Sequence, residues 1–351
     1  MSPDHDAPAD HNKPPDEPAP GPAAHHDRPS GREPAGARAG DDRTAIQLTN
    51  VVKKYGTVEA LAGLTLDVRR GEMFGLIGPD GAGKTTAIRL MCGLLHADAG
   101  DVRVLGLSPT RDHRRLSEQV GYLSQRFSLY GDLTIDENIA FFAEIHGVSG
   151  YQRRRDQLLE MTQLTKFRDR LADRLSGGMK QKLALACTLV HEPQVILLDE
   201  PTTGVDPVSR REFWKLLSEF MSRGITILMS TPYLDEAERC SRIALLHQGR
   251  VLALDEPARL RSTIGGRIVE IIAPRGVHSA DSVRTLDGVV DAQVFGERIH
   301  VTLAQTTDEA VQRFSAALRG TPLRDAPVRL VAPSLEDVFI ARLSAQENVR
   351  A

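Results

Sequence analysis

Residues 73–85 read Met73-Phe74-Gly75-Leu76-Ile77-Gly78-Pro79-Asp80-Gly81-Ala82-Gly83-Lys84-Thr85. The first five form a short apolar run that is typical of a buried strand, and the last eight match G-x-x-x-x-G-K-[ST]. Apolar residues at helical spacing follow, from Ala87 to Leu95. In this order of strand, loop and helix, the glycines let backbone N–H groups curl around phosphate oxygens, and the helix points its positive end at them. The stretch therefore predicts a Walker A loop that binds a nucleotide.

The residue types that follow the loop suit phosphate chemistry. Lys84 supplies a positive charge for the β- and γ-phosphates, and the Thr85 hydroxyl can ligate Mg²⁺. A second apolar run, Val195–Leu198, ends at Asp199 and Glu200. Asp199 can hold Mg²⁺, usually through water, and Glu200 could polarise the water that attacks the γ-phosphate. Many strands end in a solvated Asp-Glu pair, so the two acids indicate a site only in combination with the loop.

Further from the loop, the chain is organised as an α/β protein. From Ile46 onward, β-rich runs alternate with helical patterns, and a third strand is predicted at 225–229. A mostly helical stretch spans about 128–190. After a break at 264–266, the pattern is β-α-β-β-α-β, which suits a small ferredoxin-like domain. We therefore predict a nucleotide-binding domain at 46–264 with a helical subdomain at about 128–190, and an α+β accessory domain at 265–351.

Composition sets the N-terminal segment apart and excludes several classes of protein. Residues 1–43 hold nine of the twenty prolines and no Leu, Ile, Val, Phe, Tyr or Trp, which predicts a disordered tail. The formal charge of −3 argues against a protein that coats nucleic acid. No apolar run approaches the roughly 18 residues that a membrane span needs, and the N-terminus has no secretory core. The three cysteines lie far apart, without metal-binding spacing, and are expected to be reduced in a cytosolic protein.

One further motif narrows the class of nucleotide-binding protein. Leu175-Ser176-Gly177-Gly178-Met179 lies upstream of the second apolar run and is followed by Gln181 and a predicted helix at 182–190. With this motif, the chain resembles the ATP-binding cassette (ABC) family over residues 46–260. The resemblance implies a P-loop NTPase fold with a RecA-like core and a helical subdomain.

Other motifs of the family occur in the expected order. Tyr55 matches the aromatic residue that stacks on adenine. Gln125 matches the Q-loop glutamine that contacts Mg²⁺ or water, and Asp206 lies in the D-loop near the dimer interface. Each also has an ordinary structural alternative: Tyr55 as a packing residue, Gln125 as a surface polar residue, and Ser176 as a helix cap.

The signature motif also implies a partner. Ser176 and the glycines precede a predicted helix, so that free N–H groups and a positive dipole end face outward. In the family, this element closes on the γ-phosphate bound by the Walker A loop of the other subunit. The sequence has one of each element, so the resemblance implies a second cassette, identical or not.

The predicted site therefore has three sets of residues, and its implied cofactors are ATP and Mg²⁺. The catalytic residues are Glu200, Lys84 and Gln125. The metal ligands are Thr85, Gln125 and Asp199. The nucleotide-binding residues are Tyr55, Gly78, Pro79, Asp80, Gly81, Ala82, Gly83, Lys84, Thr85, Thr86, Ser176, Gly177, Gly178 and Asp206.

The sequence departs from the family pattern at one important position. Family members carry a switch histidine, often within T-H-x-x-x-E-A, whereas residues 230–237 read Ser-Thr-Pro-Tyr-Leu-Asp-Glu-Ala and place Pro232 there. Proline has neither a side-chain donor nor a backbone N–H, so it cannot orient the attacking water as imidazole does. Either Glu200 still supports hydrolysis at a reduced rate, or this half-site mainly holds nucleotide beside an active partner cassette. Asp80, where many cassettes have asparagine, is expected to face solvent or the dimer partner.

The C-terminal segment suggests a biological role. Residues 333–340, Pro-Ser-Leu-Glu-Asp-Val-Phe-Ile, resemble the end of cassettes that serve ABC-2-type exporters, including the daunorubicin-resistance type. Without the resemblance, the segment predicts a helix capped by Ser334 and Asp337. The resemblance implies an ATPase subunit at the cytoplasmic face of the cell membrane, bound to a separate ABC-2-type permease and powering efflux of drugs or other hydrophobic compounds. The permease is expected to dock near Gln125 and residues 129–145.

Other cargoes and other roles stay open. Lipid or polysaccharide export uses similar subunits. The main alternative is a soluble, non-transport ABC ATPase of translation or DNA maintenance. Those classes usually carry two cassettes, long coiled coils or zinc cysteines, and none of these is seen in the sequence. We expect no nucleic-acid partner.

Overall fold

The computed structural model describes residues 43–125, 128–273 and 280–350, with side chains up to 346. The predicted disordered tail, apart from Arg43, lies outside the described residues.

The strands of the described chain form three sheets. In chain order they are β1 (Thr44–Tyr55), β2 (Val58–Arg69), β3 (Met73–Ile77), β4 (Ala99–Val104), β5 (Val120–Leu123), β6 (Val195–Asp199), β7 (Thr226–Thr231), β8 (Arg242–His247), β9 (Arg250–Asp255), β10 (Arg267–Ile272), β11 (Val289–Phe295), β12 (Arg298–Leu303) and β13 (Val328–Val331).

The helices alternate with these strands. They are α1 (Lys84–Met91), α2 (His113–Ser117), α3 (Ile135–Ile145), α4 (Gln152–Thr162), α5 (Gly177–Leu189), α6 (Pro207–Ser222), α7 (Leu234–Ala237), α8 (Pro257–Ser262), α9 (Asp281–Arg284), α10 (Asp308–Leu318) and α11 (Leu335–Arg350). The predicted helical stretch at 128–190 contains α3, α4, α5 and two short 3₁₀ turns. The N-terminus of α3 is fixed by a capping box between Thr134 and Glu137.

The central sheet has the strand order β5-β6-β7-β3-β8-β9, with β9 antiparallel and the other strands parallel. In β6, Ile196 and Leu198 face a core that includes α5 and α6, whereas Val195 and Leu197 face a core that includes α1. Burial on both faces explains why this strand is a continuous apolar run rather than an alternating one. The predicted strands at 73–77 and 195–198 are confirmed.

The second face of the central sheet is covered by more than a helix. Strands β2, β1 and β4 form an antiparallel sheet in that order, and their inward residues share a core with α1. The long β1–β2 hairpin ends at Tyr55 and Val58, so its tip carries Tyr55 toward the loop that precedes α1.

The strand order brings distant parts of the chain to one edge. Because β6, β7 and β3 are adjacent and parallel, their carboxyl ends meet, and Asp199 pairs with Ser230 while Ile77 pairs with Thr231. In open parallel sheets, ligands bind beyond these carboxyl ends. The fold therefore directs the loops after all three strands into one crevice.

The C-terminal part forms an antiparallel sheet of order β11-β12-β10-β13, with α9 and α10 packed on one face. Its element order is β-α-β-β-α-β, as predicted, and the strand order is that of a ferredoxin-like sheet. Helix α11 follows. Its Leu335 and Val338 are buried in the same core as residues of β8 and α8, and Ser334 caps its first turn together with Asp337.

None of the helices in the described part of the chain is both long and apolar enough to cross a membrane.

Candidate active site

The Walker A loop is shaped by close backbone contacts. Gly83 has a φ of 102° and lies against the carbonyl oxygen of Ala60, so a Cβ there would be strained and would overlap the backbone of β2. Gly78 meets the backbone of Leu246 in the same way. Because Gly83 is also the N-cap of α1, the first N–H groups of this helix have no intrahelical acceptor and are available to an anion.

Lys84 lies at the centre of the site and is only 4% exposed. Its Nζ donates hydrogen bonds to the carbonyl oxygens of Gly78 (2.8 Å) and Pro79 (3.1 Å). It also lies 3.1 Å from Oε1 of Glu200, which makes a buried ion pair. The predicted loop lysine and the predicted base are therefore neighbours.

Asp199, at the end of the Walker B strand β6, is held by two hydroxyl groups. Asp199 is 1% exposed, and its Oδ1 accepts hydrogen bonds from Thr85 Oγ1 (3.0 Å) and Ser230 Oγ (2.7 Å). The structure thus brings together the two predicted metal ligands Thr85 and Asp199. Ser230 is a site residue that no motif predicts, because its contact with Asp199 depends on the register between β6 and β7.

The carboxylate of Glu200 contacts three side chains. Besides Lys84, Gln125 Nε2 donates to Oε2 at 3.1 Å, and Thr203 Oγ1 donates to the same oxygen at 3.4 Å. The backbone of Glu200 adopts φ 48°, a strained conformation for a residue with a side chain, and its N–H donates to Ser230 Oγ at 3.0 Å. The local structure therefore fixes the direction of this carboxylate.

A pocket of about 580 Å³ opens in front of these groups. The predicted residues that line it are Tyr55, Asp80, Gly81, Ala82, Gly83, Lys84, Thr85, Thr86, Gln125 and Glu200. Lining residues that the sequence analysis did not assign to the site are Val58, Glu59, Ala60, Thr203 and Tyr233. The remaining predicted residues at this end do not line the pocket but form hydrogen bonds to residues that do. Lys84 bonds to the carbonyl oxygens of Gly78 and Pro79, and Thr85 bonds to Asp199.

The two ends of the pocket differ in character. At one end, Tyr55 is 46% exposed, as a ring that stacks on a flat ligand would be, and Lys53 Nζ lies 5.7 Å from its centroid. At the other end, Pro232 lines the wall beside Tyr233, so the position of the family's switch histidine does face the site. No histidine lines this pocket among the described residues. Asp80 is solvent-exposed as expected, with 94% of its side chain accessible, but its Oδ1 also lies 3.9 Å from Lys84 Nζ at the mouth of the pocket.

The signature residues do not reach this pocket within the chain. Helix α5 begins at Gly177, so the predicted start at residue 182 is wrong: Ser176 Oγ accepts a hydrogen bond from Met179 N and caps the helix at the first glycine. Asp206 caps α6 by accepting from the N–H groups of Val208 and Ser209 (both 3.0 Å), and hydrogen bonds from Ser209 lower the pKa of this carboxyl. Gly178 packs directly against Ser209. The four predicted residues therefore form a separate surface made of two adjoining helix N-termini.

The comparisons with known proteins agree with this geometry. The ABC transporter family model matches residues 61–203. The probable multidrug ABC transporter ATP-binding protein YbhF of Escherichia coli is 40% identical over 301 residues, 84% of this chain and 51% of that protein. The chain thus spans about half the length of this relative. The daunorubicin resistance ATP-binding protein DrrA2 of Streptomyces coeruleorubidus is 36% identical over 323 residues, 88% of this chain and 98% of that protein.

A solved structure supports the same assignment. A dimeric, post-hydrolysis state of the ATP-binding cassette MJ0796 bound to ADP and Pi is 28% identical, with a TM-score of 0.54, and the match covers 60% of this chain and 98% of that one. The predicted P-loop fold is confirmed. Together with the Walker A loop, the Walker B strand and the signature motif, these likenesses show that the chain belongs to the ABC transporter family of ATP-binding proteins, an ATPase family.

Proposed function

We propose that this protein is the ATP-hydrolysing subunit of an exporter and that it acts with a separate membrane permease. The observation that carries the proposal is the cluster of Lys84, Asp199 and Glu200 at the carboxyl ends of parallel strands, at the base of a pocket large enough for a nucleotide. Residues 46–264 would form the cassette and 265–351 the accessory domain.

The residues of the site suit Mg²⁺. Asp199, Thr85 and Gln125 offer carboxylate, hydroxyl and amide oxygens, which are the hard donors that this ion prefers. Within the described chain, no group of three or more His, Cys, Asp or Glu side chains could hold a metal ion. Phosphate oxygens and water would therefore complete the shell. Bound there, Mg²⁺ would neutralise charge on the phosphates.

The chain's own groups suggest how hydrolysis proceeds. The N–H groups at the start of α1 and the Lys84 ammonium bind the phosphate oxygens, and Tyr55 stacks on the adenine. Glu200 accepts a proton from the attacking water, because its carboxylate is the acceptor held at the γ-phosphate end. Gln125 contacts this carboxylate and so links its position to the segment that follows β5.

The separation of the signature surface from the pocket supports a dimer. Ser176, Gly177, Gly178 and Asp206 line no part of the pocket in their own chain, although α5 presents a helix N-terminus that suits an anion. A second cassette would place this surface over the γ-phosphate. The dimeric MJ0796 cassette bound to ADP and Pi is a precedent for such an assembly.

A second cavity supports the proposal of a permease partner. It measures about 220 Å³ and lies between α2, β5 and the helices α3 and α5, with Leu94, Tyr122 and Phe142 in its mostly apolar wall. Strand β5 runs from this cavity directly to Gln125. We infer that a cytoplasmic helix of an ABC-2-type permease docks here, which would hold the subunit at the cytoplasmic face of the cell membrane.

The cargo is inferred from the relatives. YbhF is named a probable multidrug transporter protein, DrrA2 a daunorubicin resistance protein, and several further relatives are named Nod factor export proteins. Export of drugs or other hydrophobic compounds therefore fits best.

Isolation of tagged protein from detergent-solubilised membranes tests the transport role. We expect a polytopic membrane protein to co-purify in stoichiometric amount, and Phe142→Glu to abolish its capture by placing a charge in the apolar cavity. Phe167→Glu, on a half-buried ring outside the cavity, is the matched control. Capture of soluble translation or DNA-repair factors instead would support the non-transport alternative.

Pro232 favours a second candidate, a slow cassette beside an active partner, since this residue lines the pocket. Single-turnover hydrolysis by wild type and Pro232→His separates the two cases. If the position limits the rate, imidazole there should raise the rate by about tenfold. An unchanged rate would show that Glu200 and its neighbours suffice without a switch histidine.

A further inference from the structure

Glu236, in the short helix α7, is a buried carboxylate that none of the steps above uses. Only 1% of its surface is exposed. A carboxylate that is removed from water needs partners for both oxygens, since an unpaired buried charge costs several kcal/mol. Its partners therefore indicate what this residue holds in place.

Each oxygen of Glu236 accepts a hydrogen bond from a different segment of the chain. Thr202 Oγ1 donates to Oε1 at 2.6 Å, and Thr231 Oγ1 donates to Oε2 at 2.7 Å. Both threonines are completely buried. The Nε of Arg210 lies 3.5 Å from Oε1 and supplies the compensating charge. Glu236 thus joins the loop after β6 to the carboxyl end of β7.

Both segments lead directly into the wall of the pocket that contains Glu200. Thr203, next to Thr202, donates to the Glu200 carboxylate at 3.4 Å and lines the pocket. Thr231 Oγ1 accepts a hydrogen bond from Tyr233 N at 3.1 Å, so this bond connects the two residues on either side of Pro232. The network of Glu236 therefore reaches the Glu200 carboxylate through Thr203 and reaches the pocket wall at Pro232 and Tyr233.

We propose that Glu236 is a positioning residue for ATP hydrolysis. By fixing Thr202 and Thr231 relative to each other, it holds the loop after β6 in the position where Thr203 orients the Glu200 carboxylate. Pro232 itself offers no hydrogen bond to do this. Glu236 does not line the nucleotide pocket and acts only through its two threonine partners. The inference rests on the proposed hydrolysis by this chain.

A merely structural role makes different predictions. If Glu236 only stabilised the fold through Arg210, its loss would lower thermal stability and weaken nucleotide binding together with the rate. A positioning role lowers kcat while the nucleotide Kd stays nearly constant, because the hydrogen bonds of the Thr202 and Glu236 side chains go to each other, Thr231 and Arg210 rather than to the phosphate-binding loop or Tyr55.

Single-turnover hydrolysis and the Kd of a fluorescent ATP analogue, measured on the full chain with Mg²⁺, test the proposal. Thr202→Val and Glu236→Gln should lower the rate by about tenfold and change Kd by less than about threefold. Thr202→Ser, which keeps the hydroxyl, should restore the rate. The matched control is Thr226→Val. Thr226 is also buried, but it lies at the other end of β7, where its hydroxyl accepts a hydrogen bond from Gly71 N. The hydrolysis rate of this variant should stay within about twofold of wild type.

Coupling to Glu200 provides the decisive readout. In a Glu200→Gln background, Glu236→Gln should cause no further loss, because the carboxylate that it positions is already absent. Wild-type rates in Thr202→Val and Glu236→Gln would overturn the proposal, as would parallel losses of Kd and rate, or an additive loss in the double variant. Wild-type protein without turnover would overturn both this proposal and hydrolysis by the chain, whereas normal turnover with unaffected variants would overturn this proposal alone.

Discussion

Removing the Ser230 hydroxyl should weaken both the fold and the site. In Ser230→Ala, Asp199 Oδ1 loses its 2.7 Å hydrogen bond, and the N–H of Glu200 loses its 3.0 Å bond to the same hydroxyl. A hydrogen bond to a charged group contributes about 1.5–3 kcal/mol, and a neutral one about 1 kcal/mol. Two contacts remain: Thr85 still donates to Asp199 Oδ1, and Glu200 N still reaches Ser230 O at 3.2 Å.

We therefore expect the variant to lose about 2–3 kcal/mol of unfolding free energy, which for a chain of this size lowers Tm by about 5 °C. Hydrolysis should fall by about tenfold, because Asp199 and Glu200 are both less firmly oriented. Urea denaturation and single-turnover hydrolysis measure the two effects. Ser218→Ala is the control: it removes one hydrogen bond within α6, to Trp214 O, and should change the unfolding free energy by less than about 0.5 kcal/mol. Equal stability and equal rates in wild type and Ser230→Ala would refute the role assigned to this hydroxyl.

Three further outcomes follow from other contacts. Gly83→Ala should abolish binding of the fluorescent ATP analogue while the far-ultraviolet circular dichroism stays native, because a Cβ at φ 102° overlaps β2; normal binding would contradict the loop geometry. Burial and neighbouring His146 lower the pKa of His191 to about 4. The unfolded chain therefore binds more protons than the folded chain between about pH 6.5 and 4. The free energy of unfolding should fall by up to about 3 kcal/mol as the pH decreases through this range. Urea titrations at several pH values measure this loss, and it should be absent in His191→Gln. Asp337→Ala removes the acceptor of two hydrogen bonds from Ser334 and should make α11 more susceptible to limited proteolysis. Hydrolysis should stay within about twofold of wild type, because Asp337 does not line the nucleotide pocket.

Local patterns were sufficient to predict the strands that carry the site and the element order of the C-terminal part. The apolar run at 195–198 indicates a buried strand, and the pattern after residue 266 predicts the order β-α-β-β-α-β. The antiparallel sheet β2-β1-β4 was not predicted, because its pairing joins segments whose register no local pattern specifies. The start of α5 was missed because glycine has low helix propensity. In the structure, the Ser176 cap and the close packing of Gly178 on Ser209 overcome that propensity.

The parts of the site that the sequence analysis missed depend on contacts between distant segments. Ser230 reaches Asp199 only because β6 and β7 are paired in one register, and Glu236 joins two threonines that are 29 residues apart in the chain. A motif match names residues that bind the nucleotide directly. It carries no information on the buried hydroxyls that hold these residues in place.

The mass of the Glu200→Gln protein in solution, measured by light scattering with ATP and Mg²⁺, tests most directly whether two copies complete each other's sites. The account predicts a species of twice the 38.4 kDa monomer that disappears without nucleotide and in a Ser176→Arg variant. A particle that stays monomeric at saturating ATP, while its pocket binds nucleotide, would contradict it.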